Sequence, residues 1–122
     1  MSDLYHSIYT KLEKIGVLDV RQYAVIENHP HIPLCIDRLS DDMFALSQNP
    51  TIDGALVADP DIEIRVYHDQ KRAEPLVYQD RSGKKIVYPR SGVVDLGVKN
   101  ELMEFLDRWL TDLIEQGFIR NQ

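Results

Sequence analysis

The stretch Asn100 to Phe118 constrains the fold more than any other part of this chain. Leu102, Phe105, Leu106, Trp109, Leu110, Leu113 and Ile114 recur at the i, i+3, i+4, i+7 spacing of one helical face. The other face carries Glu101, Glu104, Asp107, Arg108, Asp112 and Glu115, with Glu104/Arg108 and Arg108/Asp112 set four apart to pair along the surface. Gly117 falls where a left-handed residue ends a helix, and Phe118 is the apolar residue that can fold back on Leu113. Burying each of these apolar side chains stabilises by about 1.5–3 kcal/mol, so the helix needs a broad apolar partner. Only the middle of the chain can supply one.

That middle reads as strands. Arg21 to Glu27, Leu34 to Arg38, Met43 to Gln48, Ile62 to His68, Leu76 to Gln79 and Lys85 to Tyr88 are rich in β-formers. Ile62, Ile64 and Val66 alternate with Glu63, Arg65 and Tyr67, the clearest period-two signal present. Leu39-Ser40-Asp41-Asp42 and Asp80-Arg81-Ser82-Gly83-Lys84 read as hairpin turns, which favour antiparallel neighbours. Asn49 to Pro60, with two prolines and a glycine, reads as a loop with at most a helical turn. Upstream, Ser2 or Asp3 can cap a first helix whose stripe is Leu4, Ile8, Leu12 and Ile15, widened by Tyr5 and Tyr9 and ended by Gly16. The expectation is one α+β domain over residues 1–122. It has an antiparallel sheet of about five or six strands, flanked by an N-terminal helix and a long C-terminal amphipathic helix.

Composition narrows the function classes. Twenty acidic against fourteen basic residues give a net charge of −6, which disfavours a nucleic-acid partner. No apolar run reaches membrane-spanning length, and Met-Ser-Asp-Leu-Tyr-His lacks the basic start and apolar block of a signal peptide. A single cysteine, Cys35, cannot form an internal disulfide, and a cytoplasmic setting is expected. Cys35 lies between Leu34 and Ile36 with no nearby cation, so it reads as a small sheet residue and not a nucleophile.

The candidate chemistry gathers around Ile64-Arg65-Val66-Tyr67-His68-Asp69, followed by Ala73-Glu74. Arg65, Tyr67 and Asp69 share a strand face by period two, and a short turn can return Glu74 beside them. A polar cluster of Arg65, Tyr67, His68, Asp69, Glu74 and Tyr88 follows. In it His68 serves as base or ligand and Arg65 as anion clamp. The plainer reading has Asp69 capping the turn, Arg65 pairing with Glu74 across strands and His68 bonded to backbone. Tyr67, Tyr78 and Tyr88 on successive strands offer a binding surface if they face one side. His29-Pro30-His31, joined by His68, is the one arrangement of imidazoles worth testing for metal. Its spacing matches no strong ligand motif, so no metal and no cofactor is expected.

The same residues carry a family resemblance. The segment from Ile64 to Asp69 with Ala73-Glu74, the pair Tyr88-Pro89, and Phe105-Leu106-x-x-Trp109-Leu110 before Gly117 resemble, in order and spacing, the YqiB-like family of short uncharacterised bacterial proteins. The likeness covers roughly residues 56 to 119. Between Tyr88 and Asn100 the chain departs from that family's Pro-Asn pair and Asp-Glu-Lys triplet, and only Lys99 is shared. The resemblance implies bacterial origin and supplies no activity.

The expected function is therefore binding, with another protein as partner, by a monomer or homodimer. The alternative is a small hydrolase-like enzyme using His68, Asp69 and Glu74, which requires the three side chains within hydrogen-bonding reach. An acidic mimic of nucleic acid ranks last, because acidic and basic residues are interspersed along the chain.

Overall fold

The computed structural model describes residues 3–57 and 59–120, with the backbone alone at 51, 52 and 56. Helix α1 (Leu4–Ile15) opens on Asp3, whose side chain accepts the His6 N–H, and closes on Gly16 at φ 95°. The other proposed cap, Ser2, lies outside the described residues. Ile8, Tyr9, Leu12 and Ile15 are buried, as the apolar stripe requires. Helix α2 (Leu96–Gln116) begins four residues before Asn100, the start of the stretch read from the sequence, because Asp95 accepts the Val98 N–H and caps it. At its far end the Gly117 N–H donates to Ile114 and the Phe118 N–H to Leu113, the paired bonds of a Schellman ending, and Phe118 is fully buried.

Between the helices run β1 (Tyr23–Asn28), β2 (His31–Ser40), β3 (Met43–Gln48), β4 (Thr51–Ile52), β5 (Ala55–Leu56), β6 (Asp61–Tyr67), β7 (Arg72–Asp80) and β8 (Gly83–Ile86). Six of them form one antiparallel sheet in the order β1-β2-β3-β6-β7-β8. This is the α+β fold that the sequence leads one to expect. The segment Asn49 to Pro60 is more regular than a loop: β4 and β5 make a separate two-stranded hairpin turning on Asp53 and Gly54, both at positive φ.

One face of the sheet is covered. Ile26, Leu34, Ile36, Phe44, Leu46, Ile62, Ile64, Val66 and Ala73 meet the apolar sides of α1 and α2 in a single core. Trp109 lies in that core, 9% exposed, with its indole N–H donated to Gln48. On the helix surfaces Lys11 and Ser7 of α1 both reach Asp107 of α2. Neither α1 nor α2 packs against the opposite face. Two prolines fall inside strands, and both sit at register shifts. Pro33 lies where β1 and β2 slip between Ile26 and Asn28, and Pro75 lies where β6 and β7 slip between Glu63 and Ile64. A residue without an N–H is tolerated where the ladder is already broken. No helix among the described residues is long and apolar enough to cross a membrane.

Candidate functional site

The slip at Pro75 decides what the uncovered face presents. Arg65 is paired with Glu74, and Glu63 with Val77, so Leu76 is the extra residue of a bulge. The bulge leaves Val77 on the uncovered side and turns Tyr78 to the covered one. There the Tyr78 ring meets Phe105 of α2 edge-on at 5.1 Å. The three tyrosines therefore do not share a face. Tyr67 and Tyr88 do converge.

They converge on Glu74. At 4% exposed it is the one buried charged residue among those described. Its Oε2 accepts the Tyr67 hydroxyl at 3.0 Å, and its Oε1 accepts the Tyr88 hydroxyl in a very short contact. Lys99 Nζ lies 3.8 Å from Oε1 and donates to the Tyr88 hydroxyl at 3.3 Å. The ammonium also stands 5.2 Å from the Tyr5 ring centre and 5.7 Å from that of Tyr88. Burial and the hydrogen bond to Glu74 both raise the pKa of Tyr67 and of Tyr88. Burial works against the charge on Lys99, but bonds to Tyr5 and Tyr88 and the charge of Glu74 outweigh it and raise its pKa. The result is a closed knot of one carboxylate, one ammonium and two phenols. It ties β6 and β7 to the segment after β8 and to the first turn of α2.

Backbone bonds bring Lys99 there. Val87 donates to Leu76, extending the β7–β8 pairing by one residue, and Asp95 donates to Val87 at 2.8 Å. The cap of α2 is thus anchored at the end of β8, and Lys99 stands one turn further in. Lys99 is the functional-looking residue that pattern reasoning passed over. Its only signal was its place in the family likeness.

The rest of the expected cluster separates. The strand β6 stops at Tyr67, and His68–Gln70 form a single 3₁₀ turn. His68 is exposed, and its Nε2 contacts the Asp41 carbonyl at 3.0 Å. Asp69 is exposed and makes no side-chain cap of that turn. Arg65 and Glu74 are cross-strand neighbours without an ion pair, because Glu74 is taken by its tyrosines and Lys99. A trio of His68, Asp69 and Glu74 within hydrogen-bonding reach does not form. The imidazoles are also dispersed. His31, at the start of the ten-residue β2, has its ring 5.9 Å from Phe118, whereas His68 is at the turn beyond the other end of β2, roughly 30 Å away at strand rise.

Beside the knot the uncovered face dips into a concavity of about 510 Å³. Met43, Leu76, Val77 and Ile86 supply its apolar wall, Tyr67 and Tyr88 its aromatic rim, and Glu63 and Arg65 its charges. Arg65 Nε is buried without a hydrogen-bond partner, its nearest carboxylate oxygen being Asp42 Oδ2 at 3.9 Å. Its Nη2 faces the Met43 sulfur at 3.5 Å, a weak acceptor. At the other end of β6, burial and then the charge of Asp37 raise the pKa of Asp61.

A family model for a domain of unknown function, DUF6908, matches residues 4–119. The chain belongs to this family. No curated protein and no solved structure is significantly similar to it. The DUF6908 match carries no activity, and it supplies neither the YqiB-like name nor a bacterial source.

Proposed function

We propose that this DUF6908 domain acts by binding, and that another protein docks on the uncovered face of its sheet. The observation that carries this reading is the contrast between Glu74 and Arg65. The carboxylate of the expected polar cluster is committed to two phenols and an ammonium. The guanidinium beside it keeps a buried N–H without an acceptor, in an open concavity. Tyr, Met and Arg are the side chains enriched in protein interfaces, and here they surround apolar Val77 and Ile86. Tyr88 and Ile86 are each 41% exposed, so that apolar area awaits a partner. The YqiB-like likeness and a bacterial source belong to this reading and rest on the motifs alone, and a cytoplasmic setting rests on the single cysteine and the N-terminal composition.

Affinity capture with the wild type, a Arg65→Glu/Ile86→Asp variant and a His68→Ala variant tests it, each first checked for an intact thermal transition. Wild type and His68→Ala retain the same partner, and the face variant loses it. Loss in His68→Ala with retention in the face variant would overturn the reading.

A further inference from the structure

A second concavity, of about 860 Å³, lies where α1 hands over to β1, apart from the proposed docking face. Three arginines line it: Arg21 before β1, Arg38 near the end of β2, and Arg120 beyond α2. Local geometry brings them together. Arg120 donates its backbone N–H to Ile15 at 2.8 Å, and a Cβ at Gly16 would come within 3.0 Å of the Arg120 Cβ. That close approach of the chain beyond α2 to the end of α1 depends on Gly16, which also sits at φ 95°. Arg38 donates to the backbone carbonyls of Val20, Ser40 and Asp41 and, among the described residues, to no carboxylate. These carbonyls take three of its five N–H groups and leave two for a further acceptor. Arg120 Nη1 is buried without a hydrogen-bond partner, and Arg21 is exposed.

The charge is opposite to that of the whole molecule. In a chain of net charge −6, this concavity holds three guanidinium groups against one carboxylate, Asp19. The surplus suits a dianion, and a phosphate monoester carries about −1.5 to −2 at neutral pH. Guanidinium forks match phosphate oxygens in pairs. The acidic surface elsewhere repels a long polyanion, and the volume falls in the range of small-molecule sites, about 300–1,000 Å³. We propose that the Arg21–Arg38–Arg120 concavity binds a small phosphate monoester.

The test is an NMR titration of the full chain with adenosine monophosphate, beside adenosine and inorganic phosphate. The expected result is saturable shifts at the amides of Arg21, Tyr23 and Arg38 with the monophosphate. Inorganic phosphate shifts the same amides, and adenosine leaves them unmoved. Arg21→Glu, at an exposed position, weakens the monophosphate at least tenfold with an unchanged melting temperature, and Arg120→Glu does the same by a second route. Monophosphate binding no stronger than that of adenosine, shifts centred elsewhere, or full affinity in folded Arg21→Glu would each overturn the proposal.

Discussion

Glu74 shows how a single buried carboxylate can be fixed without a buried arginine. Its two oxygens are shared by two tyrosines, and Lys99 balances its charge. Glu74→Ala leaves that ammonium unpaired. Losing one partner of a buried pair costs about 3–5 kcal/mol, and the lower figure applies because the Lys99 side chain keeps 18% of its exposure. Tyr88→Phe removes one of the donors and costs about 1–2 kcal/mol. Urea unfolding midpoints of the two variants check both figures. The knot also sets the alkaline limit of the fold. Tyr67, Tyr88 and Lys99 all have pKa values raised in the folded state, so the native protein holds these protons more tightly than the unfolded chain. Tyr78 acts in the same direction, pushed up to about 12 by burial and its bond to Asp80. Their stabilisation is complete below the ordinary phenol value near 10 and is lost as the pH rises through the folded values. A pH series of melting temperatures falls above about pH 10, and the Tyr67→Phe/Tyr88→Phe variant falls less steeply over that window.

The helices were legible in the sequence because their signals are local. Asp3, Gly16 and Gly117 each sit at the helix end that their chemistry favours. Gly117 is at φ 97°, and an added Cβ would meet only the Asn28 amide at 3.6 Å, an ordinary contact. Gly117→Ala therefore pays for the left-handed backbone alone, about 1 kcal/mol, read as a small drop in the denaturation midpoint. Asp95→Ala costs a similar amount, about 1 kcal/mol, through the lost cap of α2. The strands were legible by alternation except where proline broke it. The bulge at Leu76 reverses the sides of Val77 and Tyr78 relative to a regular strand, so the grouping of Tyr78 with Tyr67 and Tyr88 failed. The end of β6 at Tyr67 likewise took Asp69 out of the strand periodicity that grouped it with Arg65 and Tyr67. Lys99 escaped because its partners are 11 and 25 residues away, joined through the Val87–Asp95 bond and not through any spacing.

At the scale of the whole molecule, both helices are spent on one side of the sheet. Seven apolar positions of α2 and the stripe of α1 converge on the same core, and Trp109 is one of its largest members. Trp109→Ala opens a cavity there and destabilises by about 3–5 kcal/mol, measured by urea unfolding. That one-sided packing leaves the other side of the sheet open for the docking we propose, with Arg65, Tyr88 and Ile86 at its concavity. The most direct test of that claim places a photo-reactive phenylalanine analogue at Ile86 in one protein and at Arg108, on the exposed side of α2, in another. Irradiated in cell extract, the Ile86 position cross-links to a discrete partner protein and the Arg108 position does not. Cross-linking from Arg108 with none from Ile86 would contradict the account.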